Sequence, residues 1–187
     1  MPMQVRVAQT KMPGVLLIES KCAFDDRGFF SEAYSATTWR DAGFEEQFIQ
    51  DNLSLSRKGT LRGMHYQIEP YGIGKFIRVL CGTIFDVGVD LRKSSPTFGQ
   101  WLGRTLRAED AVGIYFPSGI AHGFVALDDN SIVLYKCTQA HVPEAERALS
   151  YRDPQVGIEW PIAPTLVSPK DEGAPFLDKA EYNFVYV

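Results

Sequence analysis

The chain has 187 residues, 45% of them hydrophobic and 22% charged, with a formal net charge of −4. That length suits one domain with a real core, expected to span residues 1–187, and the acidic balance excludes the clustered basic surface of a nucleic-acid binder. No apolar run approaches the ~20 residues of a membrane span, and the N-terminal Met-Pro-Met-Gln-Val-Arg lacks the apolar block of a signal peptide, so a cytoplasmic protein with no membrane partner is expected. The three cysteines, Cys22, Cys81 and Cys137, are odd in number and far apart. They read as reduced, buried thiols, not as a disulfide framework or zinc cluster.

Along the chain, Asp25 to Glu32 offers Arg27 on a turn, followed by aromatics and Glu32. Thr37 to Ala42 suits a short helix, with Thr37 as cap and Gly43 as stop. Gln50, Asn52, Ser54 and Ser56 alternate with Asp51, Leu53 and Leu55, which puts two amides on one strand face. Gly59 to Gln67 is a strand-like run bounded by glycine that carries Arg62 and His65. Strict alternation would set those two side chains on opposite faces, so Gly63 must mark a bulge if both serve one site. Lys75 follows the turn Tyr71-Gly72-Ile73-Gly74. Phe85, Val87, Val89 and Leu91 alternate with Asp86, Gly88 and Asp90. His122 follows Pro117-Ser118-Gly119, and Tyr135 sits in the alternating run Ile132 to Cys137. Pro161 to Pro175 is proline-rich and expected to be irregular. With 12 Phe, 8 Tyr, 16 Gly and 11 Pro in short segments, the pattern is that of an all-β barrel or sandwich with one or two short helices.

The chemistry of these residues is suggestive as a set. Histidine's ordinary pKa lies nearest neutrality, and arginine is a permanent cation whose fork suits phosphate. Taken singly, each has an ordinary role open to it. Arg27 can pair with Asp25 or Asp26, Lys75 can be solvated, and His122 can be a hydrogen-bonded core residue. A metal site needs a third ligand that the spacing of His65 and His122 does not supply, so a metal-free site is expected.

Together the motifs resemble one family. Arg27-Gly28-Phe29-Phe30-Ser31-Glu32, Gln50-Asp51-Asn52, Leu61-Arg62-Gly63-Met64-His65, Ile84 to Arg92 with Ser95 to Gly99, Gly119 to Phe124, Asp153-Pro154 with Gly157 to Pro161, and Ser168-Pro169-Lys170-Asp171 closely resemble the dTDP-4-dehydrorhamnose 3,5-epimerases, in order over nearly the whole chain. The resemblance implies a cupin-type jelly-roll barrel, a homodimer with exchanged N-terminal strands, no metal or other cofactor, and a nucleotide-diphosphate 4-keto-6-deoxy-hexose as substrate. Carried onto matching positions, it implies His65 as catalytic base, Asp171 as the carboxylate that orients it, Tyr135 as the acid on the opposite face and Lys75 as the cation for the enolate. It implies Arg27, Glu32, Gln50, Asn52, Arg62, His122, Glu146 and Lys170 as contacts to the nucleotide sugar. By polarity alone, Asp86 competes with Asp171 as the partner of His65.

The reaction explains the set. Hydrogens on C3 and C5 of a 4-keto sugar are acidic because their removal gives an enolate. Inversion needs a base on one face, an acid on the other and a group to hold the oxyanion. The chain departs from the family after Cys137-Thr138, where an Asp or Asn and two tyrosines give way to Gln139, Ala140 and His141. In the family the second tyrosine stacks on the thymine ring, a place His141 would take as a smaller planar face. Tyr151-Arg152 likewise replaces a Trp-Asn pair. These changes touch the base end and leave the nucleotide open among dTDP-, GDP- and CDP-linked sugars. Alternatives are a single-position 3- or 5-epimerase, a non-catalytic sugar-nucleotide-binding cupin and a metal-dependent cupin oxygenase or isomerase.

Overall fold

The computed structural model describes residues 4–187. In chain order these form β1 (Val5–Gln9), β2 (Leu16–Ser20), β3 (Cys22–Asp25), β4 (Gly28–Ser31), helix α1 (Ala36–Asp41), β5 (Gln50–Ser56), β6 (Thr60–Gln67), β7 (Lys75–Cys81) and β8 (Thr83–Asp90). There follow β9 (Trp101–Arg107), β10 (Val112–Phe116), β11 (Ile120–Ala126), β12 (Ser131–Cys137), β13 (Glu146–Ala148), β14 (Leu166–Val167) and helix α2 (Pro169–Glu172). One antiparallel sheet has the order β1-β2-β10-β7-β12-β5. The other runs β13-β6-β11-β8-β9, with β14 parallel to β6, and β3 and β4 form a hairpin of their own. The non-consecutive neighbours in both sheets are those of a double-sheet jelly roll, the all-β cupin architecture expected.

Alternation along each strand decides what it buries. Ile77 and Val79 of β7, Phe116 of β10 and Val133 of β12 meet Ile84 of β8 and Phe124 of β11 in one buried cluster, so the two sheets face each other across it. Burying a side chain such as Phe124 contributes about 1.5–3 kcal/mol. The outer face of the second sheet presents Leu61, Met64, Tyr66, Val87 and Val89, covered by Leu149, Val156 and Leu177 from the C-terminal segment. Behind the first sheet, Phe76 and Tyr115 pack on Trp39 and Phe44.

β6 carries the bend the sequence required. Opposite β11, His65 pairs with His122 and Arg62 with Phe124, so Gly63 and Met64 together face the single residue Gly123. This extra residue resets the alternation. Leu61, Met64 and Tyr66 therefore share the outer face, while Arg62, His65 and Gln67 share the inner one. Gly63 has φ +136°, and a Cβ there would meet the Cα of Gly123 and the carbonyl of His122.

Three expectations are corrected. Helix α1 is capped by Ser35, not Thr37: Ser35 has the extended backbone of a cap and its hydroxyl accepts from the Thr38 N–H at 3.3 Å. The stretch from Pro161 to Pro175 is not wholly irregular. Its Thr165 and Leu166 N–H groups donate to the Gly59 carbonyl, which docks β14 beside β6. Ser168 then caps α2, with Pro169 in its first turn. Finally, the cysteines are all free, but only Cys137 is buried; Cys22 is half-buried, and Cys81, at the end of β7, is exposed.

Candidate active site

Beyond the apolar cluster the inward faces turn polar and line a cleft of about 790 Å3. β5 contributes Gln50, Asn52 and Ser54, β6 contributes Arg62, His65 and Gln67, β7 contributes Lys75, and β12 contributes Tyr135 and Cys137. Glu146, Lys170, Asp171 and His141 complete the wall. Ten of the thirteen residues expected at a site thus share one cavity: Gln50, Asn52, Arg62, His65, Lys75, Tyr135, His141, Glu146, Lys170 and Asp171.

One end of the cleft is built around His65. Its Nε2 lies 2.6 Å from Oδ1 of Asp171, which the start of α2 delivers: the Ser168 hydroxyl accepts the Asp171 N–H. Burial pushes the Asp171 carboxyl up, but hydrogen bonds from His65, the Gly63 N–H and Ser168 outweigh it and hold the group below its ordinary value. An ionised Asp171 accepts the Nε2–H and leaves Nδ1 with its lone pair, the form a base requires. Asp86 is not the partner of His65. It lies behind the cleft wall, accepting from Nε2 of His122 at 2.7 Å. Burial pushes the Asp86 carboxyl up and the His122 imidazole down.

Tyr135 stands on the other sheet, its hydroxyl 3.0 Å from the Ser54 hydroxyl. Burial raises its pKa well above that of a free phenol, against the lowering effect of Ser54, so it holds its proton at neutral pH. The Lys75 ammonium donates to the His65 carbonyl at 3.2 Å. Burial lowers its pKa, opposed by Cys137, Glu146 and Asp86 around it. Arg62 is fixed at one edge by Nε donating to the Ser56 hydroxyl at 3.1 Å and Nη2 to the Leu55 carbonyl at 3.2 Å.

At the mouth, Glu146 accepts from Lys170 at 2.6 Å and from His141 at 3.3 Å. Burial works to raise the Glu146 pKa, but these two partners hold it below its usual range. Three expected contacts lie elsewhere. His122 is 4% exposed and packs at a tilt against Phe116 beneath the wall. Arg27 and Glu32 belong to the β3–β4 hairpin region, away from the cavity lining. Arg27 pairs there with Asp25. Sequence reasoning missed Gln67, which holds the segment carrying His141 through the Ala140 carbonyl and the Val142 N–H. It also left Ser54 as mere strand; its place on the inward face beside two amides was the available signal. Among the described residues, no group of three or more His, Cys, Asp or Glu side chains is arranged to hold a metal ion.

The family model for dTDP-4-dehydrorhamnose 3,5-epimerase matches residues 9–179. The chain belongs to the dTDP-4-dehydrorhamnose 3,5-epimerase family. The family's curated members include the enzyme of Shigella flexneri, 44% identical over 95% of this chain and 99% of its own. Among solved structures, the Legionella pneumophila 3,5-epimerase in complex with dTDP-4-keto-L-rhamnose is 42% identical, with a TM-score of 0.89 over 94% of each chain. A 3'-monoepimerase from Streptomyces bikiniensis, in complex with dTDP-quinovose, is 34% identical, with a TM-score of 0.84 over 90% of this chain and 86% of its own. Family membership carries with it the isomerase class.

Proposed function

We propose that this chain, as one domain over residues 1–187, inverts C3 and C5 beside the C4 ketone of dTDP-4-dehydro-6-deoxy-D-glucose, giving dTDP-4-dehydro-L-rhamnose. The observation that carries this reading is a base and an acid on opposite sheets across one cleft: His65, held by Asp171, and Tyr135, in a cavity shared with Lys75. His65 takes the carbon proton through Nδ1, and its cation is stabilised by Asp171. The electron pair moves onto the C4 oxygen, where the Lys75 ammonium offsets the charge. Tyr135 returns a proton to the far face. Solvent then takes the His65 proton and restores that of Tyr135, and the cycle repeats at the second carbon.

Arg62, Gln50, Asn52, Glu146 and Lys170 hold the diphosphate and nucleoside, and so fix orientation before chemistry. Arg27, Glu32 and His122 belong to the same set in the family pattern. We assign Arg27 and Glu32 to the cleft of a second copy, in a homodimer with exchanged N-terminal strands. Support comes from the exposed rings beside them, Phe24, Phe29 and Phe30, and from a buried Glu32 Oε1 with no partner among the described residues. His122 acts from behind the wall. No helix of the described residues is long and apolar enough to cross a membrane, and three free cysteines suit a reducing, cytoplasmic setting.

The test is incubation with dTDP-4-dehydro-6-deoxy-D-glucose in deuterated water, with NMR of C3 and C5. Deuterium at both carbons, with inversion at both, is expected. Deuterium at one carbon only supports a single-position epimerase, a reading favoured by the likeness to the 3'-monoepimerase. No exchange at either carbon removes the epimerase reading.

A further inference from the structure

Strand β5 places a hydroxyl where the proposed acid needs one. Tyr135 pairs across the β5–β12 ladder with Asn52, and Ser54 pairs with Val133. Ser54 and Tyr135 are therefore diagonal neighbours on the same inward face, within reach of a large side chain. Their oxygens are 3.0 Å apart. Among the described residues this is the only hydrogen bond of the Tyr135 hydroxyl. The rest of the ring is walled by Phe124, at 6.5 Å between ring centroids, and by the edge of His122 at 6.1 Å. Ser54 itself lines the cleft.

Resting on the assignment of Tyr135 as acid, we infer that Ser54 is the positioning residue of that acid: it accepts from the phenol before proton transfer and donates to the phenolate after it. A hydroxyl is suited to this because it carries one donor and two acceptor sites, whereas a lysine only donates and an ionised carboxylate only accepts. The phenolate forms in a buried place, where an unsatisfied charge is costly. A hydrogen bond to the charged oxygen stabilises the product of the transfer more than its reactant and so lowers the barrier. The neighbouring inward hydroxyl, on Ser56, is already committed to Nε of Arg62 at 3.1 Å. The two serines thus hold different parts of the site.

Proton abstraction by His65 does not pass through Ser54. Without the serine, His65 still removes the carbon proton, exchanges it with solvent and returns deuterium to the same face. Delivery to the opposite face alone is impaired. Deuterium exchange and inversion should therefore separate. The experiment compares wild-type protein with Ser54→Ala, Ser54→Thr, Ser54→Val and Tyr135→Phe, using dTDP-4-dehydro-6-deoxy-D-glucose in deuterated water, with exchange and inversion followed together by NMR.

For Ser54→Ala, inversion should fall about tenfold to a hundredfold, the worth of one hydrogen bond to a charged oxygen. Exchange and KM should stay within about threefold of wild type. Ser54→Thr should recover most of the inversion rate, and Ser54→Val, matched to it in volume but without a hydroxyl, should not. That pair decides the matter if Ser54→Ala does not fold. Tyr135→Phe should show the same separation more deeply. Exchange and inversion falling together, equal behaviour of Thr and Val, or an unchanged inversion rate in Ser54→Ala would each overturn the role of Ser54 while leaving the epimerase intact. Absence of exchange in the wild-type protein would instead overturn the epimerase reading.

Discussion

Asp171 shows how much of this site depends on a single short contact. Its carboxylate touches His65 at 2.6 Å and accepts from the Gly63 N–H, while its own backbone N–H donates to the Ser168 hydroxyl. Replacing it with asparagine keeps the shape but no longer offers a carboxylate to the Nε2–H, so the favoured imidazole tautomer is lost. Asp171→Asn should lower kcat by roughly 10²–10⁴-fold with KM nearly unchanged; a fall in affinity with kcat intact would mean that Asp171 serves binding instead. The family resemblance singled out His65, Tyr135, Lys75 and Asp171, and the structure brings all four to one cavity. Asp86 could not be separated from Asp171 in the sequence, since polarity on an apolar strand does not say which histidine it meets. Only the pairing of β8 with β11, which sets Asp86 beside His122, resolves it. His141 is also a matter of one residue. It stands at the rim in contact with Glu146, where the family pattern has a tyrosine. Isothermal titration with dTDP, GDP and CDP should still rank dTDP first, by about tenfold, a factor worth 1.4 kcal/mol; equal or reversed affinities would mean that this exchange has altered the nucleotide.

β6 is the element on which site and fold depend together. The conflict between period two and a shared site for Arg62 and His65 was visible in the sequence, and it pointed to Gly63. The two-against-one pairing with β11 meets that requirement. Gly63→Ala should test it, because φ +136° is poorly tolerated by any side chain and the added methyl would run into the backbone of β11. We expect a loss of roughly 2–4 kcal/mol in urea unfolding, in the range of severe single-site effects, with activity falling in the protein that remains folded. A variant of wild-type stability and activity would show that the bulge is not required. Other elements were less legible for physical reasons. Ser35 and Thr37 are both good cap residues, and only the extended backbone at Ser35 decides between them. The short β14 and α2 are held by Gly59 and by a serine cap, contacts too distant or too brief to leave a period in the sequence.

At the scale of the whole molecule, two features reach beyond the cleft. The first is acid sensitivity. Asp90 is buried, which raises its pKa, yet hydrogen bonds from Arg92, Ser95 and Thr97 bring it below the ordinary value, and Asp171 is depressed by its own partners. Carboxyls depressed in the fold add stability above their unfolded pKa of about 3.9, and that stability is lost as pH falls through the lower folded values. Their contribution to the urea midpoint should therefore be intact at neutral pH and be lost steeply below about pH 4. Asp90→Asn should flatten that drop; an unaltered acid limb would show that this network does not govern it.

The second feature is the β3–β4 hairpin, which carries three exposed rings: Phe24 at 74%, Phe29 at 58% and Phe30 at 71%. A cluster of exposed aromatics on a strand pair that joins neither main sheet has little to gain within one chain and much to gain against another. Among the described residues, Arg27, on the same hairpin, has only the exposed partner Asp25, a pair of small worth in water. Both observations fit a hairpin that completes a second copy's site. On the proposed dimer, replacing all three phenylalanines with serine should halve the mass measured by sedimentation and raise KM, because that assembly places Arg27 and Glu32 in the neighbouring cleft. Arg27→Ala alone should raise KM and leave the mass unchanged. These two variants separate assembly from recognition. If the triple variant remained dimeric, or if it became a monomer with wild-type KM, the hairpin would not be the element that links one copy to the active site of the other.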